Sequence, residues 1–212
     1  MKLAVIGASG KAGSLILSEA KQRGLDVTAI VRHRDSLKTN DVNVIEKDLF
    51  ELTYDDVKDF DAIIDAFGAF TPEVLHRHVD SMKYLSTLLS HKSNRLLVIG
   101  GAGSLYVNKE HTIRLLDTPD FPNEYKPVSG AQANALDYIR LRNDVNWTFL
   151  CPASVFLADA PRSGSYILGG EEFITDSKGN SQISYADYAI AMIDEAVSGS
   201  HIKERICAIS ES

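Results

Sequence analysis

Seven consecutive residues near the amino end carry the clearest chemistry: Gly7, Ala8, Ser9, Gly10, Lys11, Ala12 and Gly13. Glycine recurs at every third position. Between a strand and a helix, such a turn suits a pyrophosphate. Gly7 permits the tight turn, Gly10 lets backbone approach the phosphates, and Gly13 lets the helix pack close to the strand. Unpaired amides around Lys11 and Ala12, with the helix dipole, favour the anion. The competing reading is a tight turn that binds nothing; the strand before it and the amphipathic helix after it favour a dinucleotide. Which dinucleotide depends on the end of the second strand-like run. A free ribose 2′-OH calls for Asp or Glu there. This chain has Arg32, His33 and Arg34 instead, with no acid before Asp35. A guanidinium suits a 2′-phosphate, so NADP is the expected cofactor, with Arg34 and Ser9 as helpers and NAD as the alternative.

The elements that must hold these residues alternate in type. Short apolar runs at residues 3–6, 26–31, 42–46, 61–67, 95–99, 147–151 and 205–209 read as strands. Amphipathic stretches at 11–23, from Pro72 to about 91, 129–143 and 185–197 read as helices. Thr71 is the expected cap of the second helix, and Pro152 the expected stop of the sixth strand. Strands alternating with helices imply a mainly parallel sheet covered on both faces. Two stretches break the rhythm. Residues 102–127 hold three prolines and no clean period, and are expected to form a lid. Residues 153–184 read as a small substrate region with a hairpin around Gly169 and Gly170. Both follow strands at their carboxyl ends, where open α/β sheets bind ligands. The expected organisation is one nucleotide-binding domain over residues 1–212.

Composition narrows the class. The 212 residues are 44% hydrophobic and 24% charged, which fits a globular chain and excludes a coiled coil or a disordered one. A formal charge of −7 argues against a nucleic-acid partner. No apolar run is long enough for a membrane span, and the first is too short for a signal core. A cytoplasmic location is therefore expected, with no membrane partner and a monomeric or homodimeric state. Cys151 and Cys207 sit in apolar runs and read as buried free thiols, without zinc-ligand spacing.

The glycine turn, Val31-Arg32, Asp48-Leu49 and Ala66-Phe67-Gly68 together resemble the short-chain dehydrogenases. The specific likeness is to their atypical branch, which is similar to biliverdin-reductase-B-like and NmrA-like proteins. Residues 100–105, 117–122 and 147–153 resemble a bacterial group labelled NADH-flavin reductases or NAD(P)-binding oxidoreductases. The resemblance implies a doubly wound Rossmann-type fold. It also implies that Asp48 and Leu49 flank the adenine. Ala66, Phe67 and Gly68 would pass beside the ribose and pyrophosphate, and Pro152 and Ala153 would border the nicotinamide.

One departure bears on the reaction. Short-chain dehydrogenases carry Tyr-x-x-x-Lys on the helix after the fifth strand. Here that helix has Tyr138 followed by Arg142, an expected solvated helix-end charge; Tyr54 and Lys58 have the spacing but lie before the fourth strand. Ser104 keeps the family's serine position and is a candidate catalytic residue, in contact with substrate or cofactor. Tyr125, beside Lys126, is the candidate proton donor, with Tyr106 and His111 as weaker ones. Ketone reduction leaves an alkoxide that needs an acid, whereas a conjugated acceptor leaves a delocalised anion that needs less help. The expectation is an NAD(P)H-dependent reductase of a planar acceptor such as a flavin or quinone. The alternatives are a non-catalytic NAD(P) sensor of the NmrA type and a nucleotide-sugar epimerase-like enzyme.

Overall fold

A computed structural model describes residues 1–39 and 41–211. Its frame is an eight-stranded sheet in the order β3-β2-β1-β4-β5-β6-β10-β8. The strands are β1 (Lys2–Ile6), β2 (Asp26–Val31), β3 (Asn43–Glu46), β4 (Ala62–Asp65), β5 (Arg95–Ile99), β6 (Asn146–Pro152), β8 (Tyr166–Gly169) and β10 (Glu204–Ser210). Seven run parallel, and β8 closes one edge antiparallel to β10. Two further strands, β7 (Val155–Leu157) and β9 (Gln182–Ser184), pair in parallel outside this sheet. The sequence pattern misses both, because three-residue strands carry almost no periodicity.

Alternation within the strands divides the core into two layers. Leu3 and Val5 of β1 face α1 (Lys11–Gln22) and α5 (Tyr185–Ser198), while Ala4 and Ile6 face α3 (Arg77–Leu88) and α4 (Lys126–Arg140); a one-turn α2 (Tyr54–Val57) precedes β4. Each fully buried Val, Leu or Ile contributes roughly 1.5–3 kcal/mol. That is why the inner strands are apolar along their whole length. Helix α1 turns Ile16, Leu17 and Ala20 inward, the face its sequence spacing predicts.

Some boundaries differ from the sequence reading. Residues 72–91 do not make one helix: a 3-10 turn (Pro72–Val74) precedes α3, and Thr71 makes no side-chain cap bond to it. Helix α4 begins at Lys126, not 129, because Pro127 is favourable in a first turn. Pro152 ends β6 from within, paired with Ala208. The hairpin around Gly169 does not form. Tyr166–Gly169 is a strand, but its partner is β10, and residues 171–175 supply no second arm. Small edge strands are claimed by whichever neighbour offers a longer ladder, a choice that local patterning does not encode.

Residues 102–127 are firmly tied along much of their length. Leu105 is buried, Tyr106 bridges to Arg114 and Glu172, and Arg114 bonds Asp137 of α4 at 2.6 Å. The first part of the segment supplies the cover that a helix would give the β6–β10 face. Its outer residues, 107–113 and 119–125, are mostly exposed.

Candidate nucleotide site

The ends of β1, β2, β4, β5 and β6 form one edge, in register through Ile6↔Ile30, Ile6↔Asp65, Asp65↔Val98 and Ile99↔Leu150. The glycine turn leaves β1 at this edge. Gly7 has φ +71°, and its N–H donates to Ile30 O at 3.0 Å. A side chain on Gly7 would put Cβ 2.7 Å from Ala66 O, and one on Gly13 would put Cβ 2.3 Å from Gly7 O. Both glycines are therefore required by close packing. Gly10 is exposed and caps α1 without a side-chain acceptor, and no acid lies in the first turn. The amides of Lys11, Ala12 and Gly13 are left without intrahelical partners. With the helix dipole they form a cradle for an anion. Ser9 is half-buried beside it, and Lys11 is exposed.

Arg32 follows β2 at the same edge. It is exposed, and among the described residues its guanidinium has no hydrogen bond or ion pair. Arg34 is exposed, and its N–H donates to Glu46 Oε1 at 3.2 Å. Glu46, opposite Val31 in register, thus braces the basic turn from β3.

The other positions from the sequence reading fall in different surroundings. Asp48 caps a short turn: its Oδ1 accepts from Phe50 N at 3.0 Å, and Glu51 accepts from the Asp48 N–H at 3.4 Å. Leu49 is buried in the core. Ala66 and Phe67 are half-buried and Gly68 is exposed, with the Phe70 ring lying against the Gly68 backbone. Pro152 and Ala153 are buried at the end of β6.

Ser104, expected beside the nicotinamide, is buried at 1% exposure. Its hydroxyl donates to Gly101 O at 2.9 Å and lies 3.6 Å from the Cys151 Sγ, and its carbonyl accepts from Arg205. Tyr125 is 54% exposed at the start of α4, the end that meets the carboxyl edge of the sheet. Tyr106 stacks on His111 with ring centres 4.8 Å apart, and the Arg205 guanidinium also lies 4.8 Å from its ring centre. His111 in turn lies 2.7 Å from Glu172. Both cysteines are buried free thiols. Burial pushes Cys151 up to about 11 and Cys207 up to about 12, so both stay protonated and unreactive.

Tyr138 lies twelve residues into α4, about 18 Å from its start. Arg142 is not the solvated charge expected from the sequence. It bonds Asp144 through two nitrogens at 2.8 Å and reaches Ser86 and the Tyr138 hydroxyl. Tyr54 and Lys58 likewise serve the far end, where Tyr54 bonds Asn94 at 3.3 Å and Lys58 bonds Asp55.

The sequence reading missed Asp65. This carboxyl is 2% exposed, at the end of β4 and next to Ala66, whose carbonyl backs Gly7. Its Oδ1 accepts from Phe67 N at 3.0 Å. Burial pushes it up to about 6, and the single amide bond offsets only part of that. The available signal was an acid inside an otherwise apolar strand, which calls for a reason.

Comparison with known proteins agrees with this geometry. The model of a family described as NAD(P)H-binding matches residues 7–196. The uncharacterised YwnB of Bacillus subtilis is 49% identical over the whole of both chains. A Streptococcus pneumoniae protein, provisionally named an NADH-flavin reductase, is 54% identical over the full length of both, with a TM-score of 0.96. A Bacteroides thetaiotaomicron protein, provisionally named an epimerase, is 35% identical over 100% of this chain and 97% of its own, with a TM-score of 0.83.

Proposed function

The chain belongs to the NAD(P)H-binding family, and on that premise we propose that it is a reductase passing hydride from NADPH to a planar conjugated acceptor, a flavin or a quinone. The carrying observation is a pairing. An open anion cradle at the α1 terminus adjoins an edge where, among the described residues, α4 offers no tyrosine followed four residues on by lysine. The amides of Lys11, Ala12 and Gly13 hold the pyrophosphate. Arg32 takes the 2′-phosphate with Arg34 and Ser9 close by, which makes NADPH the better ligand. Asp48, Leu49 and residues 66–68 line the adenosine side. Pro152 and Ala153 form the wall against the nicotinamide and keep water from it. When bound, the nicotinamide supplies the hydride.

What remains for the chain is orientation. A delocalised acceptor anion needs little acid help, and Tyr125, exposed at the mouth of the edge, is the proton donor for what help is needed. Ser104 acts as a positioning residue, because its hydroxyl is spent on Gly101. The outer part of residues 102–127 closes over the acceptor, with residues 153–184 as the opposite wall. The Streptococcus pneumoniae relative's name supports the acceptor class. The test is oxidation of NADPH and NADH, followed at 340 nm, against free flavins, quinones and aldehydes. Turnover with flavin or quinone and none with aldehydes is expected. Turnover with aldehydes alone refutes the reading, and so does NADPH binding with no turnover on any acceptor.

A further inference from the structure

At the amino ends of β6 and β10 lies a cleft of about 310 Å³ walled by Arg140, Arg142, Asn143, Trp147, Glu171 and Lys203. Trp147 and Pro152 stand at opposite ends of β6, about 17 Å apart. This cleft is therefore separate from the nucleotide edge. Its wall carries Arg140, Arg142 and Lys203 against Glu171, and Asp144 neutralises Arg142 from behind, so Arg140 and Lys203 are the cations open to a ligand on a chain whose formal charge is −7.

The donors in its wall are incompletely used. Arg142 is saturated by Asp144, Ser86 and Tyr138. Arg140 is not, since it gives only Nη2, to Glu171 Oε2 at 2.5 Å. That carboxylate oxygen is shared with Arg205, which bonds it at 2.6 Å, so one acid serves two guanidiniums. Lys203 spends one of three protons, on Asn143 O at 2.6 Å. Trp147 is 3% exposed, and among the described residues its buried indole N–H has no acceptor. A buried donor without an acceptor carries the full cost of its lost hydration, and it calls for an explanation. Lys203 is also held at φ +61°, a left-handed conformation in which a lysine is strained.

The geometry points to a second binding site in this cleft, one that takes a small oxyanion, phosphate or carboxylate in type, on Lys203, the free nitrogens of Arg140 and the Trp147 indole. Fixed donors of this kind match oxyanion lone pairs, and guanidinium favours planar or tetrahedral oxygens alike.

Trp147 is the chain's one tryptophan, so emission excited on the red edge of the protein band, beyond tyrosine absorption, reports on this wall alone. The experiment titrates the cofactor-free protein with inorganic phosphate in one arm and malonate in the other, with ionic strength held constant by potassium chloride. A saturable change in emission with either anion is expected. The tighter arm identifies the class, phosphate or carboxylate. Lys203→Asn tolerates the left-handed backbone while removing the charge, and should weaken binding about tenfold or more. Lys203→Arg should keep it. Absence of a saturable response in both arms overturns the proposal, as does an unchanged titration in a folded Lys203→Asn variant. Failure here leaves the nucleotide reading untouched, because NADPH binding is measured separately at the other end of the sheet.

Discussion

Asp65→Asn is the perturbation whose size follows most directly from the structure. The carboxyl rises from 3.8 to about 6 in the folded chain because it is buried. At roughly 1.4 kcal/mol per pH unit, that difference is worth about 3 kcal/mol. Below pH 4 the folded and unfolded chains both hold the proton, and the group contributes nothing unfavourable. Between pH 4 and 6 the folded chain keeps a proton that the unfolded chain releases, so stability falls as pH rises through this window. Above pH 6 the cost is complete and constant. Asparagine preserves the oxygen that accepts from Phe67 N and never ionises. The variant should therefore be up to about 3 kcal/mol more stable than the parent at pH 7, with the difference vanishing near pH 4. Urea denaturation at pH 4, 5, 6 and 7, read by circular dichroism, measures it. Asp56, held at about 2 by Lys47 and Thr53, and Asp187, held low by hydrogen bonds from residues 163, 164 and 184, bias the parent the opposite way. Both are present in the two proteins and cancel in the difference. A difference that stays constant across the range, or a variant less stable at pH 7, would refute the reasoning. A confirmed gain would mean that the chain keeps a costly acid beside its nucleotide turn, as expected of a functional group.

Arg32→Ala should reduce NADPH affinity about ten- to a hundredfold through loss of a charge-assisted contact, while calorimetry on NADH shows little change; equal affinities in the parent would make Arg32 a solvated turn residue. Gly13→Ala should abolish binding of both cofactors in the same calorimetric assay, because its Cβ would sit 2.3 Å from Gly7 O. Tyr125→Phe should lower kcat more than it raises KM for NADPH, whereas Tyr138→Phe, at the far end of α4, should leave steady-state rates unchanged. Arg95→Leu should cost about 3 kcal/mol. It strips Glu195, whose side chain is 2% exposed, of its 2.6 Å guanidinium partner and leaves only His201, at 2.6 Å from the other carboxylate oxygen, to hold the buried acid. Calorimetric Tm should then fall by roughly 6–12 °C.

Much of this protein is legible in its sequence. The inner strands declare themselves because a strand buried on both faces must be apolar throughout, and 26–31 and 95–99 match the observed β2 and β5 to the residue. The glycine turn declares itself because two of its glycines have neighbours that leave no room for a Cβ, a local constraint written directly into residue type. Other features depended on partners distant in the chain. Residues 166–169 gave a strand signal, but only the assembled sheet decided that they pair with β10 and not with the segment just after them. Ser104 and Tyr138 occupy suggestive positions in the sequence. Tertiary packing turned the serine hydroxyl toward Gly101 and placed the tyrosine a helix length from the edge. The same holds for the amino-side cleft. Arg140, Trp147, Glu171 and Lys203 span more than sixty residues of chain and share no motif, so only the fold could gather their donors around one space. Sequence records constraints between neighbours along the chain. Contacts between elements come from burying each apolar face once, and that requirement is met only by the whole structure.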